Sequence, residues 1–511
     1  MKSRDWLLLI GVLLAGLAIH EIGQLKRPLW LDYSLGRYSG SYLVFKENKE
    51  IVVPDKCILE ITGNVGTISI RGTMDKKAFI KWEKQIYETR KTNAEKIAQM
   101  LTLTVNKNDG RIQLMTNTET LENTYGKSIK NNYEIQIPVN TDLHIQNKMG
   151  NLIIENMNSF ADISNSFGDS TIKNSGNQFT IEHSFGVLTI SNINGLINAN
   201  SDYSKIEASR IRGKFKLVSK YAKIAMNDIN GLSTLDLTYG IFEGSKFEQE
   251  INVTLKHTQL KANDSGAKFI INSAYSTIAL ASIHNDITIS SKQSPVSLDD
   301  IDGRVYIDAN FKEITLHTIN GWCEINANHT AIRAQKVFAG LKINNSFEDV
   351  VLEDVYGKVI INNHHSDVIF TMHQAKYINL SADVKYGNIE MEIPENYQFN
   401  LTGTAYSGDI INYYSKESFI INERKDDTKI MNKNPYKSGP IIILSTNYGD
   451  ITLKLEAKTT AWISKNIDQC KEKIVNKAQN AQLYVAEKII NEVIEYSYSQ
   501  FLRITCLDTA S

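Results

Sequence analysis

The chain has 511 residues, a formal net charge of −1 and only seven prolines. This near-neutral balance argues against a nucleic-acid or acidic-lipid partner, because both need a basic surface. Abundant Asn, Ile, Thr and Ser with few prolines favour a strand-rich chain. The cysteines Cys57, Cys323, Cys470 and Cys506 are scattered, so they form no CxxC pair and no disulfide framework.

The first 23 residues have the features of a targeting segment. Lys2 and Arg4 precede an uncharged apolar run from Trp6 to Ile19. A run of this length is typical of a signal peptide and short for a membrane span, so residues 1–23 are predicted to be a signal peptide or an N-terminal membrane anchor. Both alternatives place the bulk of the chain in an extracytoplasmic location, the periplasm or the cell surface.

Residues 24–58 show no clear pattern and are interpreted as a linker. Residues 59–142 alternate like strands, for example at Leu59, Ile61 and Ile68, and contain a short helix predicted over Thr92–Met100 with Thr92 as its cap. An open sheet edge is a template for aggregation and needs a cover. Residues 59–142 are therefore predicted to form an N-terminal β cap.

An internal repeat of 18 residues occupies 143–373. Every residue at one repeated position carries a ring except Met149 and Gln293; the series is Met149, Phe167, Phe185, Tyr203, Tyr221, Tyr239, His257, Tyr275, Gln293, Phe311, His329, Phe347 and His365. A fixed period of this size indicates a repeat architecture.

One repeat reads as one coil of a β-solenoid. Counting from the first residue of a coil, the positions predicted to point inward are 0, 2, 4, 6, 9, 11 and 14. Spacings of two are strand spacings, and wider gaps are corners marked by dipeptides such as Asn230–Gly231 and Asn320–Gly321. A left-handed hexapeptide helix is rejected because position 12 is polar. In the coil starting at Val305 the inward residues are Val305, Ile307, Ala309, Phe311, Ile314, Leu316 and Ile319.

The fold class that follows is all-β: a single elongated β-solenoid of 18-residue coils. One coil cannot bury enough apolar surface to fold alone, so stability comes from stacking on neighbours. About thirteen coils at ~4.8 Å each predict a rod roughly 60 Å long.

After residue 373 the period loosens. Residues 374–457 are predicted to be irregular solenoid coils, with an inserted loop at 422–440. Apolar residues then recur every three or four positions, which predicts a long amphipathic C-terminal helix over 458–503. It could pack as a cap, self-associate as a coiled coil, or lie on a membrane surface.

Several stretches resemble a known bacterial family. Gly150–Asn151–Leu152, together with the recurrences Phe167–Gly168–Asp169 and Tyr448–Gly449–Asp450, is similar to β-strand-repeat domains known as putative adhesins. The resemblance spans roughly 59–455, and its motifs are mostly structural corners. It implies an extracytoplasmic, membrane-linked role and supplies no catalytic residues.

Four groups of side chains are candidates for a metal-binding, catalytic or sugar-binding site, and each is interpreted as structural. His364 and His365 form the most metal-like pair, but His365 falls in the ring series and metal partners are missing. Asp299, Asp300 and Asp302 could serve glycoside chemistry, yet Asp228 and Asp354 recur at the same corner position as Asp300. The outward Asn326, Asn344 and Asn362 and the inward Asn345 and Asn363 are expected to form amide ladders or, alternatively, to bind sugar. Cys323 is expected to be a core residue.

The sequence therefore predicts a non-catalytic extracytoplasmic β-solenoid, acting as an adhesin or envelope scaffold through its ladder-like faces. No catalytic, cofactor-binding or metal-binding residue is assigned. The expected partners are a protein or glycan at the cell envelope, a membrane through an uncleaved N-terminal segment, and a second copy through the C-terminal helix. The alternative is a polysaccharide-binding or polysaccharide-degrading β-helix enzyme, with Asp299 and Asp426 as acidic candidates.

Overall fold

The computed structural model describes residues 41–456, apart from 109, 396, 415 and 416. The predicted targeting segment 1–23 and the predicted helix 458–503 lie outside the described residues. Between residues 41 and 456, no helix combines the length and apolar character needed to cross a membrane.

The N-terminal region joins a cap to the first coil of the solenoid. Strands β2 and β3 pair in parallel with the first strands of the regular array, so they already form a coil. At the other end of this coil, β6 pairs in parallel with β2, and β7 pairs in parallel with β3. Beyond them the sheet continues as antiparallel strands, with β5 on β6 and with β4 and then β1 on β7. The elements are β1 (Leu43–Val52), β2 (Ile58–Val65), β3 (Ile68–Thr73), β4 (Lys77–Ile86), α1 (Lys91–Met100), β5 (Leu103–Asn108), β6 (Arg111–Thr116), α2 (Thr118–Tyr125) and β7 (Ile129–Pro138).

Helix α1 packs against β1 and β4 and buries Ala94, Ile97 and Ala98. Its last carbonyls, those of Ala98 and Leu101, accept hydrogen bonds from the buried Lys84 ammonium at 3.2 and 2.9 Å. A cation at this place stabilises a helix C-terminus, whose carbonyls lack partners within the helix. The helix begins one residue before the predicted Thr92, and no side chain caps its first turn.

Strand β1 corrects the interpretation of 24–58 as a linker over Leu43–Val52. It pairs antiparallel with β4 from Leu43↔Ile86 to Val52↔Lys77. Its residues are mostly half-buried or exposed, because only one face rests on the protein. The alternating apolar signal that identifies a strand is therefore weak in this segment.

The regular array runs through two strands per coil. The strand β11 passes continuously around several corners, which is why it is so long. The strands are β8 (Asp142–Met149), β9 (Leu152–Glu155), β10 (Ala161–Asn165), β11 (Ser170–Ile211), β12 (Phe215–Lys220), β13 (Lys223–Ile229), β14 (Ser233–Thr238), β15 (Ile241–Phe247), β16 (Ile251–Lys256), β17 (Gln259–Ser265), β18 (Phe269–Ala274), β19 (Thr277–Ile283), β20 (Ile287–Lys292), β21 (Val296–Ile301), β22 (Val305–Asn310), β23 (Ile314–Ile319), β24 (Cys323–Asn328), β25 (Ile332–Val337), β26 (Gly340–Ser346), β27 (Val350–Val355), β28 (Gly357–His364) and β29 (Val368–Thr371).

The register of these strands confirms the β-solenoid. Each residue pairs in parallel with the residue 18 positions later, as in Ile289↔Ile307 and Ile307↔Ile325. From β2–β3 to β28–β29 the stack has about 14 turns. Strands at positions 0–5 of each coil form what we call the first face, and strands at positions 9–14 form the second face. Coil positions 0, 2, 4, 9, 11 and 14 line the interior, and Ile307, Ile314 and Ile319 are fully buried.

The prediction that coil position 6 points inward is wrong. The rings of Phe185, Tyr221 and Phe347 are 41%, 45% and 49% exposed. These residues sit at a corner with φ between +55° and +68°, in the left-handed region. A left-handed residue turns the chain sharply and ends the strict alternation of a strand, so the side chain that would have pointed inward points outward.

A second left-handed corner lies at coil position 13. It is occupied by Asp228 (φ +57°), Asp300 (φ +56°) and Asp354 (φ +52°), among others. Asn and Asp tolerate this conformation better than most residues, which explains their recurrence at this corner. The predicted corner at Asp300 is thereby confirmed.

The C-terminal coils are stacked out of chain order. Strand β36 pairs in parallel with β30 on one side and with β32 on the other, while β37 lies between β31 and β33. The coil that comes last in sequence is therefore the penultimate one in space. The strands are β30 (Ile378–Lys385), β31 (Ile389–Ile393), β32 (Asn400–Tyr406), β33 (Ile410–Asn412), β34 (Phe419–Glu423), β35 (Asp427–Asn432), β36 (Ile441–Asn447) and β37 (Ile451–Leu455).

The predicted loop 422–440 is corrected to a β-hairpin followed by a connection. Strand β35 pairs antiparallel with both β34 and β32, and it covers the last coil of the first face. Asp426 lies in the hairpin turn, where its carbonyl accepts a hydrogen bond from the Ser407 amide at 3.1 Å. The hairpin has no counterpart in the 18-residue repeat, so periodicity could not reveal it.

Candidate functional site

A ladder of aromatic rings runs along the outside of the first corner. Neighbouring ring centroids are 4.4 to 5.2 Å apart and nearly parallel. It extends past the regular array through Tyr386 to Tyr448, and is interrupted at Gln293, between Tyr275 and Phe311. Each ring covers the faces of its neighbours, so mainly ring edges are presented to solvent. This geometry stabilises the corner and leaves few faces free for stacking a ligand.

A second ladder, made of side-chain amides, runs along the first face. Asn344 donates to Asn326 Oδ1 at 2.7 Å, and Asn362 donates to Asn344 Oδ1 at 2.8 Å. The ladder begins at Tyr306, whose hydroxyl accepts from Asn326 at 3.3 Å. With Ser346 and His364, these amides line a shallow polar depression. The predicted outward amide ladder is confirmed.

The inward Asn345 and Asn363 do not form the predicted amide ladder. Asn345 Nδ2 donates to the carbonyl oxygens of Thr330 at 3.0 Å and Glu348 at 2.8 Å. Asn363 Nδ2 donates to the carbonyl of Ser366 at 3.0 Å. These amides satisfy backbone groups at the first corner, where the turning chain cannot continue its sheet pairing. They bond to the corner rather than to each other.

His364 and His365 point to different places. His365 stacks between Phe347 and Tyr386, at 5.0 and 4.8 Å between ring centroids, whereas His364 borders the amide depression. The two imidazoles therefore do not converge as a metal-binding pair. Cys323 is fully buried, and burial raises the pKa of its thiol, as expected of a core residue.

The three aspartates of the second corner have separate partners. Asp299 accepts from His317 Nδ1 at 2.6 Å, Asp302 contacts His284 Nδ1 at 2.6 Å, and Asp300 accepts from Ser282 at 3.0 Å. The hydrogen bond with His284 lowers the pKa of Asp302 and raises that of His284. All three carboxylates are thus engaged in different hydrogen bonds along the rod.

Sequence reasoning missed one cluster, which lies beside the second face near its C-terminal end. His373, just after β29, contacts Glu353 through Nε2 at 3.0 Å and Glu456 through Nδ1 at 2.7 Å. Asp354 is next to Glu353 and accepts a hydrogen bond from the His373 backbone amide at 2.9 Å. The structure brings Glu456 here from 83 residues away. Only the carboxylate at the repeated corner position, Asp354, carried any signal in the sequence.

The electrostatics of His373 reflect this surrounding of carboxylates. Burial disfavours a charged imidazole, but the hydrogen bond to Glu456 and the negative charges of Asp354 and Glu353 outweigh it. The pKa of His373 therefore lies above its ordinary value. Among the described residues, Glu353, Asp354 and His373 form a group whose ligand atoms lie within 4.8 Å of one another.

Comparisons with known proteins give one remote structural match. No family model matches the chain, and no curated protein matches it in sequence. A solved structure of a putative cell adhesion protein from Clostridium sporogenes ATCC 15579 aligns over 81% of this chain and 100% of its own, with 12% identity and a TM-score of 0.14. At such a TM-score the match carries no argument, so the fold rests on the strand register and the function on this chain's own residues.

Proposed function

We propose that the protein is a non-catalytic, extracytoplasmic rod that binds a partner at the cell envelope through its first face. The observation that carries this proposal is the amide ladder Asn326–Asn344–Asn362. It presents the same donor and acceptor once per coil, at a spacing of about 4.8 Å. Such a surface fits an extended partner with repeating polar groups, a glycan or a strand-like protein segment.

Two further features support the proposal. The basic, apolar start of the chain favours export, which an adhesin or envelope scaffold requires. The candidate acidic residues of the second corner are held in separate hydrogen bonds, unlike the paired carboxylates that glycoside hydrolysis needs in one groove.

Binding to purified envelope glycans and to whole cells tests the role of the first face. We expect the double variant Asn326→Lys with Asn344→Lys to bind at least tenfold more weakly, because two bulky charges replace adjacent steps of the ladder. The matched control is Ser297→Lys with Thr315→Lys, which places the same charges on exposed positions of the second face. Equal binding by both variants would show that the amide ladder is not the contact surface.

Localisation and modularity are tested separately. Protease shaving of intact cells, with cell fractionation, should place the protein outside the cytoplasm; an intact cytoplasmic protein contradicts the proposal. Deleting two whole coils, residues 215–250, joins Lys214 to Ile251 in register. We expect this variant to keep its strand content by circular dichroism and to be shorter, because each coil contacts only its neighbours.

Polysaccharide degradation is the alternative function. The His317–Asp299 and His284–Asp302 contacts, both 2.6 Å, are the features that favour it, since each pairs a carboxylate with an imidazole. A glycan-degradation screen with Asp299→Ala and Asp426→Ala variants distinguishes the two functions. Degradation that disappears in either variant would replace the binding role with an enzymatic one.

A further inference from the structure

The cluster around His373 joins three separate coils of the solenoid. Glu353 and Asp354 lie on β27, His373 follows β29 in the next coil, and Glu456 follows β37 near the C-terminal end. Since β37 is inserted between β31 and β33, Glu456 belongs to the penultimate coil of the stack. The coil of β30 and β31 lies between the coils of β29 and β37, so a ligand at this cluster would connect coils that do not all touch one another.

The cluster holds more negative charge than its protein neighbours balance. Three carboxylates surround one imidazole, and the ion pairs that involve Glu353 and Glu456 within residues 41–456 are those with His373. The ammonium of Lys376 lies over the ring of Tyr356, at 4.9 Å from the ring centroid. Carboxylates gathered and partly desolvated in this way are stabilised by a cation.

Asp354 has one carboxylate oxygen held by the protein and one that is free to bind a ligand. The residue as a whole is only 9% exposed. Its Oδ1 accepts hydrogen bonds from the Tyr356 hydroxyl at 2.7 Å and from the His373 amide at 2.9 Å, whereas its Oδ2 accepts none from the described residues. Oδ2 is therefore the oxygen of Asp354 that is open to a water molecule or a metal ion.

The orientation of His373 is the one that metal-bound histidines adopt. Such an imidazole donates one N–H to a carboxylate or carbonyl, and this bond aims the other nitrogen at the metal. Here Nδ1 contacts Glu456 at 2.7 Å, and Nε2 faces Glu353 beside Asp354. The Tyr356 hydroxyl likewise fixes Asp354 from behind. An outer shell that orients both residues is thus already in place.

We propose that His373 Nε2, Glu353 and Asp354 bind a divalent transition-metal cation, with Glu456 and Tyr356 as the supporting shell. The three ligand atoms lie within 4.8 Å of one another. Bonds of ~2.0–2.2 Å put two ligand atoms at most about 4.4 Å apart, so small carboxylate rotations complete the site. One imidazole nitrogen with carboxylate oxygens suits Zn²⁺ or Mn²⁺ better than Ca²⁺, which prefers six or more oxygens. The metal replaces the proton shared between Nε2 and Glu353.

Isothermal titration of the full-length, chelator-treated protein with ZnCl₂, and in parallel with MnCl₂ and CaCl₂, tests the site. We expect one Zn²⁺ or Mn²⁺ per chain and weaker Ca²⁺ binding. His373→Gln should reduce the affinity at least tenfold. The matched control is His317→Gln, which removes an imidazole that also contacts a carboxylate, Asp299, at 2.6 Å.

Glu353→Gln serves as a second ligand variant, because Glu353 is more exposed than Asp354 and its replacement keeps the side-chain volume. Circular dichroism verifies that each variant folds. The proposal is overturned if no transition metal binds, or if His373→Gln and Glu353→Gln bind as tightly as the wild type. The outcome is independent of envelope binding, since this cluster lies off the amide ladder.

Discussion

The interior of the solenoid and its ring ladder share one period but differ in environment. In a single coil, Leu217 at position 2 is fully buried, whereas Tyr221 at position 6 is 45% exposed. Both residues lie directly above their equivalents 18 residues away. Periodicity thus shows which residues stack along the axis, and the backbone conformation decides whether the stacked side chains are buried or exposed to solvent.

The two columns therefore stabilise the rod in different ways. Leu217 contributes by removal of apolar surface from water, worth roughly 1.5–3 kcal/mol for a fully buried side chain. Tyr221 contributes through ring contacts at 4.9 and 5.1 Å, worth about 0.5–1.5 kcal/mol per pair. The ladder also helps to offset the cost of holding large side chains in the left-handed region.

The largest expected effect comes from opening the interior. Leu217→Ala should lower the free energy of unfolding by roughly 2–5 kcal/mol, because it leaves a cavity inside a stacked column. Tyr221→Ala in the same coil should cost less, about 1–3 kcal/mol, because two ring pairs are lost but no cavity forms. Chemical denaturation followed by circular dichroism measures both. If Tyr221→Ala proved the more damaging, the ladder would be the principal source of stability.

The next effect is a loss of stability at acidic pH, which we expect from the buried His183 and not from an exposed histidine. His183 points inward at position 4, and burial lowers its pKa to about 4. Because the unfolded histidine titrates near 6.5, the unfolded state binds more protons between these values. Stability should fall by up to about 3 kcal/mol as the pH drops from 6.5 towards 4.

His183→Ser provides the control for this prediction, since Ser201 and Ser219 occupy the equivalent position in the next two coils. The denaturation midpoint of this variant should vary less with pH in that window than the midpoint of the wild type. An unchanged slope would mean that other groups, rather than His183, determine the acid sensitivity.

The smallest effect is a gain in stability from repairing the ladder. Gln293 already has the left-handed backbone of the column, with φ +52°, and lies between Tyr275 and Phe311. Gln293→Tyr should add about 1–3 kcal/mol by forming two new ring pairs. Gln293→Leu is the comparison, because it adds apolar surface without a stackable ring. Equal gains from Tyr and Leu would indicate that surface burial, and not ring stacking, holds the column together.

Much of the fold could be predicted from the sequence because its interactions recur at one fixed interval. The 18-residue register, the buried Cys323 and the outward amides Asn326 and Asn344 all follow from repetition. The exposure of position 6 could not be predicted in this way. The exposure depends on a left-handed φ, which Phe and Tyr rarely adopt. Their large apolar rings also made burial the natural expectation.

Features without repetition were not predictable for a different reason. Strand β1, the β34–β35 hairpin and the pairing of His373 with Glu456 depend on contacts made once in the molecule. The last of these joins residues 83 positions apart, with a hairpin and three coils between them. A single sequence holds no local pattern that specifies such a contact.

The displaced order of the C-terminal coils has a consequence for synthesis. Up to β31 the rod can lengthen one coil at a time as the chain leaves the ribosome, each new coil adding to a finished edge. Strands β32 and β33 emerge next, but the place directly on β30 and β31 belongs to β36 and β37, which are made later. The terminal coils therefore close in a single late step. A nascent chain that stops before residue 441 would lack the layer that attaches β32 to the rod.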